Sequence, residues 1–167
     1  MARRPTPLAA IRLLVLDVDG VLTDGRLYYG PDGEREKVFH VRDGHGIKAL
    51  AAAGVTVAVI SGRESAAVVR RCADLGIREL QQGVEDKASA FARLSARLNM
   101  AARDCACLGD DTPDVPMMQR VGLAIAVADA HADARAAAHR RTKLAGGHGA
   151  VREVCDWLLT AQQRAGR

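Results

Sequence analysis

Short apolar runs, each closed by glycine or a polar residue, alternate along this chain with longer stretches of helical character. The run over 12–17 shows no polar alternation before it stops at Asp17, the pattern of a strand buried on both faces. "VTVAVI" over 55–60, "IREL", "CACL" over 105–108 and "LAIAV" over 123–127 repeat that pattern, and a short strand is expected near Arg140–Lys143. Between them, "DGHGIKALAAAG" offers Asp43 to cap a helix and Gly54 to stop it. Further helices are expected over 64–74, 85–98, 113–120 and 131–139, and a last one from about Ala150 to Gln163. One segment breaks the rhythm. In "GRLYYGPDGEREKVFHV" two β-prone runs, Arg26–Tyr29 and Lys37–Val41, flank Gly-Pro-Asp-Gly, which predicts a β-hairpin after the first strand.

Strands joined through single helices imply right-handed crossovers, so the pattern predicts an α/β fold: a doubly wound parallel sheet with helices on both faces. No repeat or low-complexity linker intervenes. The expectation is one domain over 11–167 behind a flexible leader over 1–10. A chain of 167 residues is long enough to bury a real core, and with 49% apolar residues but 3% aromatic ones that core is built from Ala, Val, Leu and Ile.

The net charge of +4 does not point to nucleic acid, because no Lys/Arg run is interleaved with aromatic residues. Small anionic substrates suit it better. Cys72, Cys105, Cys107 and Cys155 show no C-x-x-C spacing and read as buried thiols of a reducing compartment. The opening "MARRPTPLAA" has no apolar signal core, and no run approaches the ~20 residues that span a membrane. A cytoplasmic protein with no membrane partner is expected.

Parallel sheets of this kind place their sites at the carboxyl ends of the strands. Here the first strand ends in Asp17-x-Asp19, the second in Ser61-Gly62-Arg63, and "CACL" in Gly109-Asp110-Asp111. Asp17, Asp19 and Asp110 gathered at one rim would repel one another, and a hard divalent cation such as Mg2+ removes the conflict. With Lys87 or Arg63 nearby, a phosphate can then be drawn in. Asp17 can attack phosphorus to form an aspartyl-phosphate, and Asp19 can protonate the leaving oxygen and later activate water. The Ser61 hydroxyl and the amides around Gly62 can hold the phosphoryl oxygens.

"DVDGVLTDG", "SGR", Lys87 and "GDDTPD" match, in order, the four motifs of the haloacid dehalogenase superfamily of aspartyl phosphatases. "VFHVRDGHGIKAL", "GLAIAVADA" and "GGHGAVREVCDWLL" extend the resemblance over nearly the whole chain, to the 3-deoxy-D-manno-octulosonate 8-phosphate phosphatases of lipopolysaccharide sugar synthesis. The resemblance implies a Rossmannoid fold and Mg2+ held by Asp17, Asp110 and the Asp19 main-chain carbonyl, with Asp111 and Asp114 behind them. Asp17 would be the nucleophile and Asp19 the acid/base, and Lys87 and Ser61 would contact the phosphoryl group. The sugar acid would meet His40, Val41, Arg42, Asp43 and Gly44, with Lys48, Arg63 and Arg71 as further cationic contacts. His40 stands where the family's Asn is expected and Lys48 where its Arg is, and Lys lacks Arg's bidentate fork.

The segments after the first motif and between Ser61 and Lys87 are too short for a cap domain, so the enzyme is expected to be capless. The hairpin, with Leu27, Tyr28, Tyr29, Val38 and Phe39, is too apolar for a solvated flap. It is expected to join subunits through 26–41, and the resemblance implies a homotetramer. A signalling receiver domain would need its phosphoacceptor on a middle strand, where Ser61-Gly62-Arg63 stands instead. A dehalogenase would have no work for Asp19, and a non-catalytic relative would not need all four motifs. A phosphatase for a nine-carbon 2-keto sugar acid 9-phosphate remains open beside the eight-carbon one.

Overall fold

The computed structural model describes residues 4–166. The first strand, β1 (Leu13–Leu16), lies at the middle of a six-stranded parallel sheet and is wholly buried. An antiparallel hairpin follows, β2 (Tyr28–Gly30) and β3 (Gly33–Glu36), and then helix α1 (Val41–Ala52). The alternation continues through β4 (Thr56–Ile60), α2 (Ala66–Leu75), β5 (Glu79–Gln81), α3 (Lys87–Arg97) and β6 (Cys105–Gly109). A 3-10 turn over Thr112–Asp114 leads into α4 (Val115–Met118), β7 (Leu123–Ala126), α5 (Ala132–Ala137), β8 (Arg140–Arg141) and α6 (Ala150–Ala165).

The sheet order is β5-β4-β1-β6-β7-β8, so the chain winds outward from β1 in one direction and crosses back to build the other half. α1, α2 and α6 cover one face, while α3, α4 and α5 cover the other. The first crossover changes direction beside β1, and its carboxyl end therefore opens into the crevice where ligands of doubly wound sheets bind. Leu13–Leu16, Ala58–Ile60, Cys105–Leu108 and Ala124–Ala126 carry almost no exposure. Met117 and Met118 fill the core beside them, and all four cysteines are buried and unpaired, with Cys72 and Cys105 pushed up to about 11 by burial.

The doubly wound sheet is as expected; two local expectations, the second hairpin arm and the cap of the first helix, are corrected. The second hairpin arm is Gly33–Glu36 instead of Lys37–Val41. The two-residue turn at Pro31–Asp32 pairs Gly30 with Gly33, with Gly33 at φ +105°, so the returning strand has to start there. α1 begins at Val41, capped by His40, whose Nδ1 accepts from the Arg42 amide at 3.2 Å. Asp43 is therefore not the cap of its own helix. It is 1% exposed, and its Oδ1 accepts the Arg152 amide at 2.8 Å, closing the first turn of α6 from outside. Part of the leader falls in residues 1–3, outside the described residues. From Thr6 onward it is tied down: the Thr6 amide bonds the Gly122 carbonyl at 2.9 Å, and Leu8–Ala10 form a 3-10 turn.

Candidate active site

Three strand ends and one helix start deliver the charged groups. β1 delivers Asp17, β4 delivers Ser61 and Gly62, β6 delivers Asp110, and Lys87 is the first residue of α3, whose N-cap Asp86 accepts the Ser89 amide at 2.9 Å. These side chains, with Asp19, Arg63, Asp111, Pro113 and Asp114, line a pocket of about 250 Å3.

The floor is an arrangement of buried charge. The Lys87 ammonium, 4% exposed, lies 2.8 Å from Asp17 and 2.7 Å from Asp114. Burial alone would lower it, but the charges of the two carboxylates outweigh burial and its pKa rises. Burial first, then the charge of Asp114, raise Asp17 to about 6 despite Lys87. Burial, followed by the charges of Asp17 and Asp114, raises Asp110 to about 8. Carboxylates in that condition either hold protons or hold a cation.

Oxygens of Asp17, Asp110 and Asp114 lie within 4.8 Å of one another, a donor set that fits a hard divalent ion. Asp114 has other work: its Oδ1 takes the Lys87 ammonium and its Oδ2 accepts the amides of Asp110 at 3.0 Å and Asp111 at 3.4 Å. It braces the loop that presents Asp110, which leaves Asp17 and Asp110 as the carboxylates free to ligate. Asp111 stands exposed at the rim and caps the 3-10 turn through the Thr112 amide. Gly20, at φ +88°, is needed here for space as well as for its turn, since a Cβ would sit 2.0 Å from Asp110 Oδ2. Behind it the Gly-Gly-His-Gly loop is seated on this segment: the Gly147 amide bonds the Val21 carbonyl at 3.0 Å, and a Cβ at Gly146 would sit 1.7 Å from the Gly20 carbonyl oxygen.

Asp19 faces the hairpin. Its Oδ1 is 2.5 Å from Lys37 Nζ and its Oδ2 is 3.8 Å from Arg63 Nε. Glu34 of β3 joins the same two cations, at 3.1 Å from Lys37 and 2.9 Å from Arg63, and the Tyr29 hydroxyl is 3.1 Å from Arg63. Burial pushes Glu34 up, but hydrogen bonds from Arg63 and Lys37, with the charge of Lys37, outweigh it and hold the carboxyl below its usual range. Sequence reasoning missed Lys37, Glu34 and Tyr29. The only signal was a charged run, "EREK", inside an otherwise apolar hairpin directly after a strand ending in two acids.

Of the expected sugar contacts only Arg63 lines this pocket; His40, Val41, Arg42, Asp43, Gly44, Lys48 and Arg71 do not. Val41 and Arg42 are exposed, with Arg42 beside Leu144, Gly149 and Arg152 in a separate groove. Gly44 is buried where a Cβ would meet the Arg71 guanidinium at 2.4 Å, and Arg71 lies over the Phe39 ring at 5.8 Å. Lys48 is exposed on α1.

A family model described as haloacid dehalogenase-like hydrolase matches residues 77–153. The 3-deoxy-D-manno-octulosonate 8-phosphate phosphatase of Escherichia coli is 52% identical over 152 residues, covering 91% of this chain and 81% of that protein. Its Yersinia pestis counterpart is 48% identical, covering 93% and 83%. A Moraxella catarrhalis 3-deoxy-D-manno-octulosonate 8-phosphate phosphatase, crystallised with magnesium, phosphate and KDO, superposes with a TM-score of 0.91 at 41% identity, covering 94% of this chain and 90% of that one. A probable phosphatase from Pseudomonas syringae reaches 0.91 at 51% identity, covering 95% and 92%. Identity at this level over most of both chains, on a shared parallel sheet, settles the kinship: the chain belongs to the 3-deoxy-D-manno-octulosonate 8-phosphate phosphatase family of haloacid dehalogenase-like hydrolases.

Proposed function

We propose that the chain hydrolyses 3-deoxy-D-manno-octulosonate 8-phosphate to the free sugar acid and phosphate, with Mg2+ as cofactor. The observation that carries this reading is the meeting of Asp17, Lys87, Ser61 and Asp110 in one pocket, in a chain 52% identical to a phosphatase of that name. Asp17 attacks phosphorus, the bond to the sugar oxygen breaks, and Asp19 gives that oxygen a proton. Asp19 then takes a proton from water, whose oxygen displaces Asp17 from the phosphoryl group. Lys87 orients Asp17, and Ser61 with the Gly62 amide receives the phosphoryl oxygens. Mg2+, held by Asp17, Asp110 and the Asp19 carbonyl, would supply the positive charge that lets a carboxylate approach a phosphate.

Beside Lys87, Arg63 is the cation that lines this pocket within one copy, and it is the group there suited to the sugar carboxylate. For His40, Val41, Arg42, Lys48 and Arg71 to serve the sugar, a neighbouring copy would have to bring its surface to the site, whereas Asp43 and Gly44 are buried and would only shape that surface from beneath. Self-association through 26–41 suits this. Leu27, Tyr29, Val38 and Val41 are 46%, 61%, 55% and 79% exposed along that segment, an apolar face that a homotetramer would cover. No helix among the described residues is long and apolar enough to cross a membrane. The four buried, unpaired cysteines suit a reducing cytoplasm.

The test is a phosphate-release screen over eight- and nine-carbon sugar acid phosphates, with and without Mg2+. Metal-dependent release from the eight-carbon ester is expected, and preference for a nine-carbon ester would reassign the substrate. Sedimentation at micromolar concentration should give an oligomer, which Leu27→Asp should dissociate; a monomeric native protein would end the subunit proposal.

A further inference from the structure

Lys37 is out of place. It follows a charged strand, between exposed Glu36 and exposed Val38, where a lysine is ordinarily solvated, yet its side chain is 2% exposed. An ammonium withdrawn from water to that degree is costly unless carboxylates meet it. Two do: Asp19 at 2.5 Å and Glu34 at 3.1 Å. Arg63 links the same two acids from the other side, at 3.8 Å and 2.9 Å, so two cations and two carboxylates alternate around a closed ring. Three members have another anchor: Glu34 is part of β3, Arg63 donates to the Tyr29 hydroxyl, and Lys37 is held by its own burial. Asp19 is the fourth, on the loop that leaves β1. The Arg63 Nε is buried without a hydrogen-bond partner, so the arginine does not by itself fix the carboxylate.

We infer that Lys37 is a positioning residue for proton transfer: bonded to Asp19 Oδ1, it holds the side chain in one rotamer and leaves Oδ2 to carry the proton that the departing ester oxygen takes. A free aspartate has several staggered side-chain orientations, and the Lys87 ammonium of the floor would compete for it. One short charge-assisted hydrogen bond selects among them. The role is confined to Asp19. Lys37 does not line the phosphate pocket, whose lining includes Ser61, Gly62 and Lys87.

This inference rests on the phosphatase reading, and leaving-group chemistry separates the two. With Mg2+ present, kcat/KM is measured on phenyl phosphate, whose leaving oxygen needs the proton, and on p-nitrophenyl phosphate, whose leaving oxygen does not. Lys37→Met should lower the first about 10- to 100-fold and the second by no more than about 3-fold, through kcat and not KM. Lys37→Arg should recover most of the loss. In an Asp19→Asn background the same Lys37→Met change should add no further penalty on phenyl phosphate, because the group it positions is already gone. If Lys37→Met does not fold, Lys37→Gln is read by the same ratio. Equal losses on the two esters, no loss on either, or a full further loss in the Asp19→Asn background would overturn the positioning role. A wild-type protein inert on both esters would overturn the phosphatase reading and this inference together.

Discussion

The pocket floor and the hairpin at its rim hold charge by different means. On the floor, Asp17, Lys87 and Asp114 are all less than a tenth exposed, and each is set by the end of a buried strand or the start of a helix. At the rim, Tyr29, Val38 and Val41 are largely open, and order comes from a handful of ion pairs between Glu34, Lys37, Asp19 and Arg63. The floor is part of the hydrophobic core's architecture, so its geometry is as rigid as the sheet. The rim is a thin ribbon whose shape depends on its charges. The difference teaches how the proposed labour would be divided: bond-making on a floor set by the core, and proton delivery at a rim set by ion pairs.

Substitutions on the floor should have the largest effects. Asp17→Asn removes the nucleophile without changing shape, and phosphate release should fall at least ~1000-fold while the circular dichroism spectrum is kept. Retained turnover would move the nucleophile elsewhere and erase the contrast. Lys87→Met leaves Asp17 and Asp114 buried without their shared cation and should cost about 3–5 kcal/mol in urea unfolding at pH 8. The loss should shrink at pH 5, where Asp17 takes up a proton.

Metal provides a third, intermediate handle. Asp17 at about 6 and Asp110 at about 8 are raised above the 3.8 they would have in an unfolded chain, so the folded, metal-free protein binds more protons than the unfolded one across that window. Its stability should therefore fall as pH rises from about 4 through 8. Mg2+ replaces the protons and removes that loss, so the gap in melting temperature between magnesium and chelator should widen from pH 5.5 to pH 8.5. A gap that stays constant would show that these acids do not share an ion. The smallest effect belongs to the rim. Tyr29→Phe removes one hydrogen bond to Arg63 and should change stability by less than about 1 kcal/mol and KM by a small factor. An effect as large as that of Lys87→Met would make the rim as rigid as the floor.

The floor was legible in the sequence because its signals are local and unusual: an apolar run that ends in Asp-x-Asp, and acids clustered after another buried strand. Asp114 was placed behind the metal on motif order, and the structure gives it two amides and an ammonium to hold. The rim was read poorly because its outcome is set by contacts distant in sequence. Val38, Phe39 and Val41 have strong strand propensity, yet the Pro31–Asp32 turn fixes where the returning strand starts, and the His40 cap turns Val41 into the first residue of a helix. Asp43 has the position and chemistry of a cap, but the helix it serves begins more than a hundred residues later at Ala150. No periodicity in the sequence reports such a partner. The burial of Lys37 was equally invisible, since a lysine among glutamates is ordinarily solvated.

The seating of Gly146 and Gly147 against the Gly20–Asp24 turn ties the carboxyl end of β1 to a loop more than a hundred residues away in the sequence. A side chain added at Gly146 would press on the Gly20 carbonyl, and one at Gly147 on the backbone of Thr23 and Asp24. Gly20 has no room to yield because Asp110 stands against it. Damage to an uncharged loop would in this way reach the acids without touching any of their side chains.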